Sequence, residues 1–332
     1  MTCRNVGLLS GLVACVLGSS LLLGAEPQPA PPRRGLGERA QRGAQSAANS
    51  PLPSIKHAGH ERSYRLHRPA NAVATKALPL VIVLHGLGAD AALTEAVTGF
   101  NAVADKHQFV VAYPNGLGRM WRFWENRDPL KKDPLSVDDI GFLAALIDQL
   151  VKDSPVDAER VYVTGISNGA YMTNRLGLSL ADKIAAIAPV AGTLPKFLSD
   201  KVKPPSLMPV LSIHGTDDKI VSHTGTDMFS KLGTCLSASA NAQWWATAND
   251  CTAMSKIESL KDSTEDGTTV TRQTYATARG ATLVTYYEIK GGGHTWPSGS
   301  FQPEFLLGKT CRDINASEII WLFFQEHSRA AK

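Results

Sequence analysis

The chain has 332 residues, 43% of them hydrophobic and 19% charged, an ordinary globular composition with enough apolar material for one large core. A formal net charge of +4 is small for this length, and the basic residues form no sustained run interleaved with aromatics, so no nucleic-acid partner is indicated. Five cysteines are present. Cys3 and Cys15 fall within the first 25 residues, which read as a signal peptide, and this leaves Cys235, Cys251 and Cys311 with at most one disulfide among them and no zinc-knuckle spacing.

The N-terminus carries Arg4, a mostly apolar stretch from Val6 to Leu23, and then Leu23-Gly24-Ala25 ahead of Glu26 and prolines. This is the layout of a secretory signal peptide over residues 1–25, and it predicts an extracellular or periplasmic protein with no stable membrane span after cleavage. An uncleaved anchor competes, although Gly7, Gly11, Gly18, Ser19 and Ser20 dilute its apolar character. A lipoprotein signal also competes, since Leu12-Val13-Ala14 precedes Cys15, but the residues after Cys15 stay apolar. Residues 26–60, rich in Pro, Arg, Gly and Ala, read as a disordered linker, and a single catalytic domain is expected over residues 61–328.

Strand-like apolar runs follow at Leu78 to Leu84, Phe109 to Tyr113, Arg160 to Thr164, Ile184 to Ala191, Val210 to His214 and Thr282 to Ile289. Helical patterns separate them, which predicts an α/β fold with a mostly parallel central sheet covered by helices on both faces. Between the second and third runs, Ile140, Leu143, Leu146, Ile147, Leu150 and Val151 share one face of a helix over Ser136 to Lys152. Ser136 suits its cap, and Asp138 and Asp139 suit its positive end, a structural role in preference to a catalytic one. A last helix from Asn315 to Glu326 opens with Asn315 three residues before Glu318, a capping-box spacing.

Val161-Tyr162-Val163-Thr164 runs into Gly165-Ile166-Ser167-Asn168-Gly169 and then into a helical pattern. Strand, sharp turn and helix are the setting of a nucleophile elbow, and Ser167 is the candidate nucleophile. The order acid, then histidine, is expected downstream. Val210 to His214 ends in Gly215-Thr216-Asp217-Asp218, which offers Asp218 as the acid and Asp217 as the fallback. The last strand leads into Gly291-Gly292-Gly293-His294-Thr295-Trp296-Pro297, whose glycines allow His294 to approach another backbone closely. Among the other late histidines, His214 reads as a core group or one standing behind the acid, His223 as the competing base that better suits a surface loop, and His327 as a cation suited to a helix C-terminus. Upstream, Val81 to Leu84 ends in His85-Gly86-Leu87-Gly88, a loop able to donate the Leu87 N–H to an oxyanion, with the Asn168 N–H as second donor. His85 then shapes the loop and is not a base.

At these residues the chain resembles the secreted esterase family of polyhydroxybutyrate depolymerases and feruloyl esterases, within the α/β-hydrolase superfamily. The resemblance runs from about Arg62 to Phe324 and includes Tyr113-Pro114-Asn115-Gly116, Val137 to Phe142, Ile187 to Gly192 and the string from Gly291 to Pro297. It implies a serine esterase without metal or organic cofactor, acting on a small-molecule or polymeric ester such as a polyester or a feruloylated or acetylated plant polysaccharide. Carried over by position, Ser167, Asp218 and His294 form its triad. Trp121 and Trp296 are candidates to line the substrate cleft, with core packing as the competing reading of each. Around Met120 to Glu125 the chain departs from the family, with two tryptophans and extra charge where similar proteins have one tryptophan and a small polar residue. An acyltransferase, a peptidase or a non-catalytic carbohydrate- or polyester-binding protein are the alternatives on the same scaffold.

Overall fold

Unbroken apolar runs bounded by turns dictate the centre of the molecule, because a strand with no polar face has to be covered on both sides. The computed structural model describes residues 52–70, 77–124, 137–153, 155–225 and 234–329. In chain order the strands and helices are β1 (Ser54–His57), β2 (His60–His67), β3 (Leu78–Leu84), α1 (Ala91–Thr98), α2 (Phe100–His107), β4 (Val110–Pro114), α3 (Asp139–Asp153), β5 (Val156–Ile166), α4 (Asn168–Ser179), β6 (Ala186–Val190), α5 (Lys196–Ser199), β7 (Val210–Gly215), α6 (Ala238–Ala248), β8 (Ala253–Ser259), β9 (Thr269–Ala276), β10 (Thr282–Lys290), α7 (Glu304–Leu307) and α8 (Ala316–Phe324).

They build one sheet in the order β1-β2-β4-β3-β5-β6-β7-β10-β9-β8. Neighbours from β4 to β10 are parallel, and antiparallel strands extend both edges. Alternation along β3 sends Leu80, Ile82 and Leu84 to one core and Val81 and Val83 to the other. The first core is closed by Phe142, Leu146 and Leu150 of α3, Met172 and Leu176 of α4 and Trp245 of α6, the second by Phe100 and Val103 of α2 and Ile320, Trp321 and Phe324 of α8. All six anticipated strands are present, with ends displaced by a few residues.

Three expectations need correction or qualification. Residues 54–57 are not linker: Ile55 is buried and β1 pairs with β2 through Ser54↔Ser63 and Ile55↔Arg62. Strands β1, β2, β8 and β9 escaped the sequence reading because their polar residues interrupt the apolar signal at the sheet edges. His327 is no helix-end cation. Its Nε2 is shut from solvent with no hydrogen-bond partner among the described residues, and its ring packs edge-on to Phe323 at 4.5 Å between centroids. The proposed cap Ser136 lies outside the described residues, whereas Asn315 does cap α8, its side chain accepting from the Glu318 N–H at 3.0 Å.

The two acids at the head of α3 have structural partners. Asp138 Oδ1 accepts from the Gly141 N–H at 2.8 Å. Asp139 is buried against Arg62, Nη2 to Oδ1 at 2.5 Å, and its other oxygen accepts from the Arg122 N–H at 2.8 Å. The Arg62 guanidinium also lies 3.9 Å from the Phe142 ring centroid, which shares the cost of burying a charge.

Burial pushes the His327 imidazole down to about 4. An unfolded chain binds the proton near pH 6.5, so between that value and about 4 the unfolded state holds more protons and stability falls as pH falls. A His327→Leu variant should therefore lose less melting temperature than wild type between pH 7 and pH 5, by ~2–4 °C after allowance for partial solvent exposure. Parallel melting curves followed by circular dichroism check this, and equal losses would show that His327 titrates normally.

Candidate active site

Strand β5 delivers Ser167 to the head of α4 through a turn that most residues avoid. Ser167 has φ 58° and ψ −119°, a backbone state that costs of order 1–3 kcal/mol and persists only where the surroundings enforce it. They do so by contact. A Cβ on Gly169 would sit 2.4 Å from the Leu84 carbonyl oxygen and 2.7 Å from that of His85. The Ser167 N–H donates to the Val190 carbonyl at 3.0 Å. The side chain is thereby raised at the carboxyl edge of the sheet, over the positive end of α4.

Beside the elbow, the loop after β3 is held from within. His85 is fully buried. Its Nε2 accepts from the Gly116 N–H at 2.9 Å, so the ring proton resides on Nδ1, which donates to the Gly86 carbonyl at 2.7 Å. Burial, partly opposed by that Gly86 hydrogen bond, lowers the His85 pKa. The imidazole is a neutral strut, as its loop-shaping role requires. Among the described residues neither the Leu87 nor the Asn168 N–H donates to protein, whereas the Gly88 N–H is taken by the Arg119 carbonyl at 2.8 Å.

Opposite, the loops after β7 and β10 meet backbone to backbone. A Cβ on Gly215 would stand 2.2 Å from the Gly292 carbonyl oxygen. This approach brings His294 Nδ1 to 2.7 Å from Asp218 Oδ2. Asp218 is buried, and its other oxygen accepts from the Ile220 and Val221 N–H groups, both at 2.8 Å. Burial alone would favour the neutral acid, but hydrogen bonds with His214 and His294 outweigh it and hold the Asp218 carboxyl well below the usual carboxylate range. Asp217 is exposed and accepts from the Thr216 hydroxyl at 2.9 Å, so the fallback acid is not the one that meets the histidine. His223 faces Tyr286 Oη at 2.8 Å and Glu288 Oε2 at 3.0 Å and does not line the cleft.

Ser167 and His294 open onto one cleft of about 480 Å³. Leu87, Leu93, Ile220, Phe301 and Leu306 line it and are exposed there, and no Asp, Glu, Lys or Arg is among its described lining residues. Sequence reasoning missed Leu93, Ile220, Phe301 and Leu306. The available signal was a set of large apolar side chains on short helices and loops, at Leu93 and Leu306 of α1 and α7 and at Ile220 and Phe301 between elements.

The two tryptophans proposed for the cleft are absent from it. Trp121 is fully buried. Its Nε1 donates to the His85 carbonyl at 3.0 Å, and its backbone is bracketed by the Asn168 side chain, N–H to Oδ1 at 2.6 Å and carbonyl to Nδ2 at 3.0 Å. Trp296 is equally buried, with Nε1 donating to Ser317 Oγ at 3.1 Å. Each indole thus buries its body and satisfies its single donor inside the protein. Trp121 ties the loop after β3 to the elbow, and the Gln302 side chain clamps the backbone of Trp296 on both sides.

Asp266, Cys311 and Asp313 bring ligand-type atoms within 4.8 Å of one another. Both Asp266 oxygens and Asp313 Oδ1 already accept from Thr264, Thr268, Ser263 or the Arg312 N–H, so the trio fastens two loops together. Cys235, Cys251 and Cys311 are free of disulfides.

The elbow contacts predict that Gly169→Ala abolishes activity, by at least about 100-fold, because a misplacement on the ångström scale suffices for that loss. Steady-state rates on soluble, folded variant check it, and near wild-type rates would show that the elbow tolerates a Cβ.

The family described as Phospholipase/Carboxylesterase matches residues 70–243. The chain is 32% identical to NocK of Nocardia uniformis subsp. tsuyamanensis, a protein named as an esterase, over 93% of this chain and 95% of that protein. It is 31% identical to feruloyl esterase B of Piromyces equi over 72% of its own length but 43% of the relative's. With poly(3-hydroxyalkanoate) depolymerase C of Paucimonas lemoignei it shares 33% identity over 37% of its length and 28% of the relative's. Among solved structures, acetyl xylan esterase from Aspergillus awamori shares the fold, with a TM-score of 0.51 at 15% identity over 74% of this chain and 94% of that one.

Proposed function

The chain belongs to the phospholipase/carboxylesterase family of α/β-hydrolases and is a carboxylic-ester hydrolase, and on that premise we propose that Ser167, His294 and Asp218 carry the reaction as nucleophile, base and orienting acid. The observation that carries this reading is the 2.7 Å contact between His294 Nδ1 and a buried Asp218 oxygen, with His294 on the same cleft as Ser167. A carboxylate can only accept, so it holds the proton on Nδ1 and leaves the Nε2 lone pair to serve as base.

In the first half-reaction His294 Nε2 takes the Ser167 proton as Oγ bonds to the ester carbonyl carbon, and the carbonyl π pair moves onto oxygen. The Leu87 and Asn168 N–H groups, without partners among the described residues, suit that oxyanion. Collapse of the intermediate breaks the bond to the alcohol oxygen, which leaves with the proton from His294. Water repeats the sequence on the acyl-serine and releases the acid.

An uncharged, apolar cleft favours an uncharged acyl group with hydrocarbon to bury, such as a hydroxybutyrate or feruloyl group, over acetate. The first 25 residues, with the layout of a signal peptide, support export of the enzyme.

Ser167→Ala should lower kcat on p-nitrophenyl butyrate by at least ~10³-fold, and a fluorophosphonate probe should label the wild type but not the variant. Equal rates or equal labelling would remove Ser167 from the mechanism. Wild-type kcat/KM should be about tenfold or more higher for the butyrate than for the acetate ester. The reverse order would show that the apolar cleft does not receive the acyl chain.

A further inference from the structure

The triad acid has a second histidine that the proposed mechanism leaves unused. His214 ends β7, is 2% exposed, and places Nε2 at 2.8 Å from the Val221 carbonyl and 3.4 Å from Asp218 Oδ2. A carbonyl can only accept, so Nε2 carries the proton and donates it to Val221, with the Asp218 oxygen close beside it. Val221 in turn gives its N–H to Asp218 Oδ1 at 2.8 Å. The tight turn from Asp218 to Val221 is thus closed by its own carboxylate on one side and by His214 on the other.

We propose that His214 is a positioning residue of the esterase: its Nε2–H holds the Asp218 to Val221 turn so that Asp218 Oδ2 meets His294 Nδ1, and it shares the negative charge of that oxygen. This rests on Asp218 being the triad acid. Two facts point beyond packing. His214 Nε2 also lies 3.4 Å from the same carboxylate oxygen that His294 uses. An apolar side chain of similar volume would fill the site while leaving the Val221 carbonyl and the carboxylate one donor short.

The titratable groups around the pair come from four elements. His294 stands on the loop after β10, and His223 has its ring centroid 5.9 Å from that of His214. Glu288 and Tyr286 of β10 hold His223 at 3.0 Å and 2.8 Å, with Glu288 in register opposite His214. The Tyr171 hydroxyl of α4 has its ionisation raised, first by burial and further by Cys235 and the Asp218 charge. None of these supplies a donor to Asp218 Oδ2 other than His294 itself.

His214→Gln, His214→Asn and His214→Met separate a positioning role from a structural one. The Gln amide reaches the place of Nε2, the Asn amide stops short of it, and Met has no donor. With folding verified by circular dichroism, Gln should keep kcat within about threefold of wild type, while Asn and Met should lose about tenfold or more in kcat at similar KM. In Asn and Met the acid limb of kcat/KM should also move to higher pH, because a carboxylate with one donor fewer holds the protonated His294 more tightly. Wild-type kcat and pH profile in Asn or Met, or a loss in Gln equal to that in Asn, would overturn the inference. Should Met fail to fold, the contrast between Gln and Asn still decides. Asp218→Asn tests the underlying reading separately: full activity there removes the triad acid itself, whereas a dead Asp218→Asn beside a normal His214→Met removes only the role of His214.

Discussion

The close approach of the elbow to the end of β3 is the constraint on which the rest of the site depends. With a hydrogen in place of a Cβ at Gly169, the first turn of α4 lies against the Leu84 and His85 carbonyls, and this contact helps bring the serine turn and the loop carrying the Leu87 N–H into one place. The left-handed backbone of Ser167 follows from it. A strained residue is stable here because the sheet on one side and the helix on the other leave the turn no alternative.

Around that contact the protein spends polar groups on rigidity. His85 is a neutral strut between Gly86 and Gly116, Trp121 roofs it, and the Asn168 side chain grips the Trp121 backbone. Asp139 extends the chain of support outward, holding the Arg122 N–H next door while paired with Arg62. Removal of one partner from a buried pair of this kind costs about 3–5 kcal/mol, a large part of a stability that is commonly ~5–15 kcal/mol. The surroundings of the candidate catalytic edge and the stability of the domain therefore share residues, and the two properties cannot be altered independently at these positions.

How much of this was legible in the sequence depended on where each residue's partners lie. The six parallel strands announce themselves because both faces are buried, and Ser167, Asp218 and His294 stand in short strings whose glycines have a steric reason. The edge strands are less visible: β2 reads His-Glu-Arg-Ser-Tyr-Arg-Leu-His, and only its pairing with β4 makes it a strand. Trp121 and Trp296 were left between cleft and core because a residue's place in the chain says nothing about which way an indole points. The cleft walls were invisible for the complementary reason. Leu93, Ile220 and the pair Phe301 and Leu306 come from three separate segments, and only the tertiary fold gathers them.

The absence of formal charge among the described residues that line the cleft bears on how the cycle ends. Hydrolysis turns a neutral ester into a carboxylate anion, and that anion finds no arginine or lysine among those walls and the ionised Asp218 behind His294. An uncharged acyl chain is at home in such a cavity, whereas its hydrolysed form is better solvated by water than by leucine and phenylalanine. Under the proposed function, walls that suit the uncharged reactant disfavour the charged product, so the polarity of the cavity itself favours release of the acid.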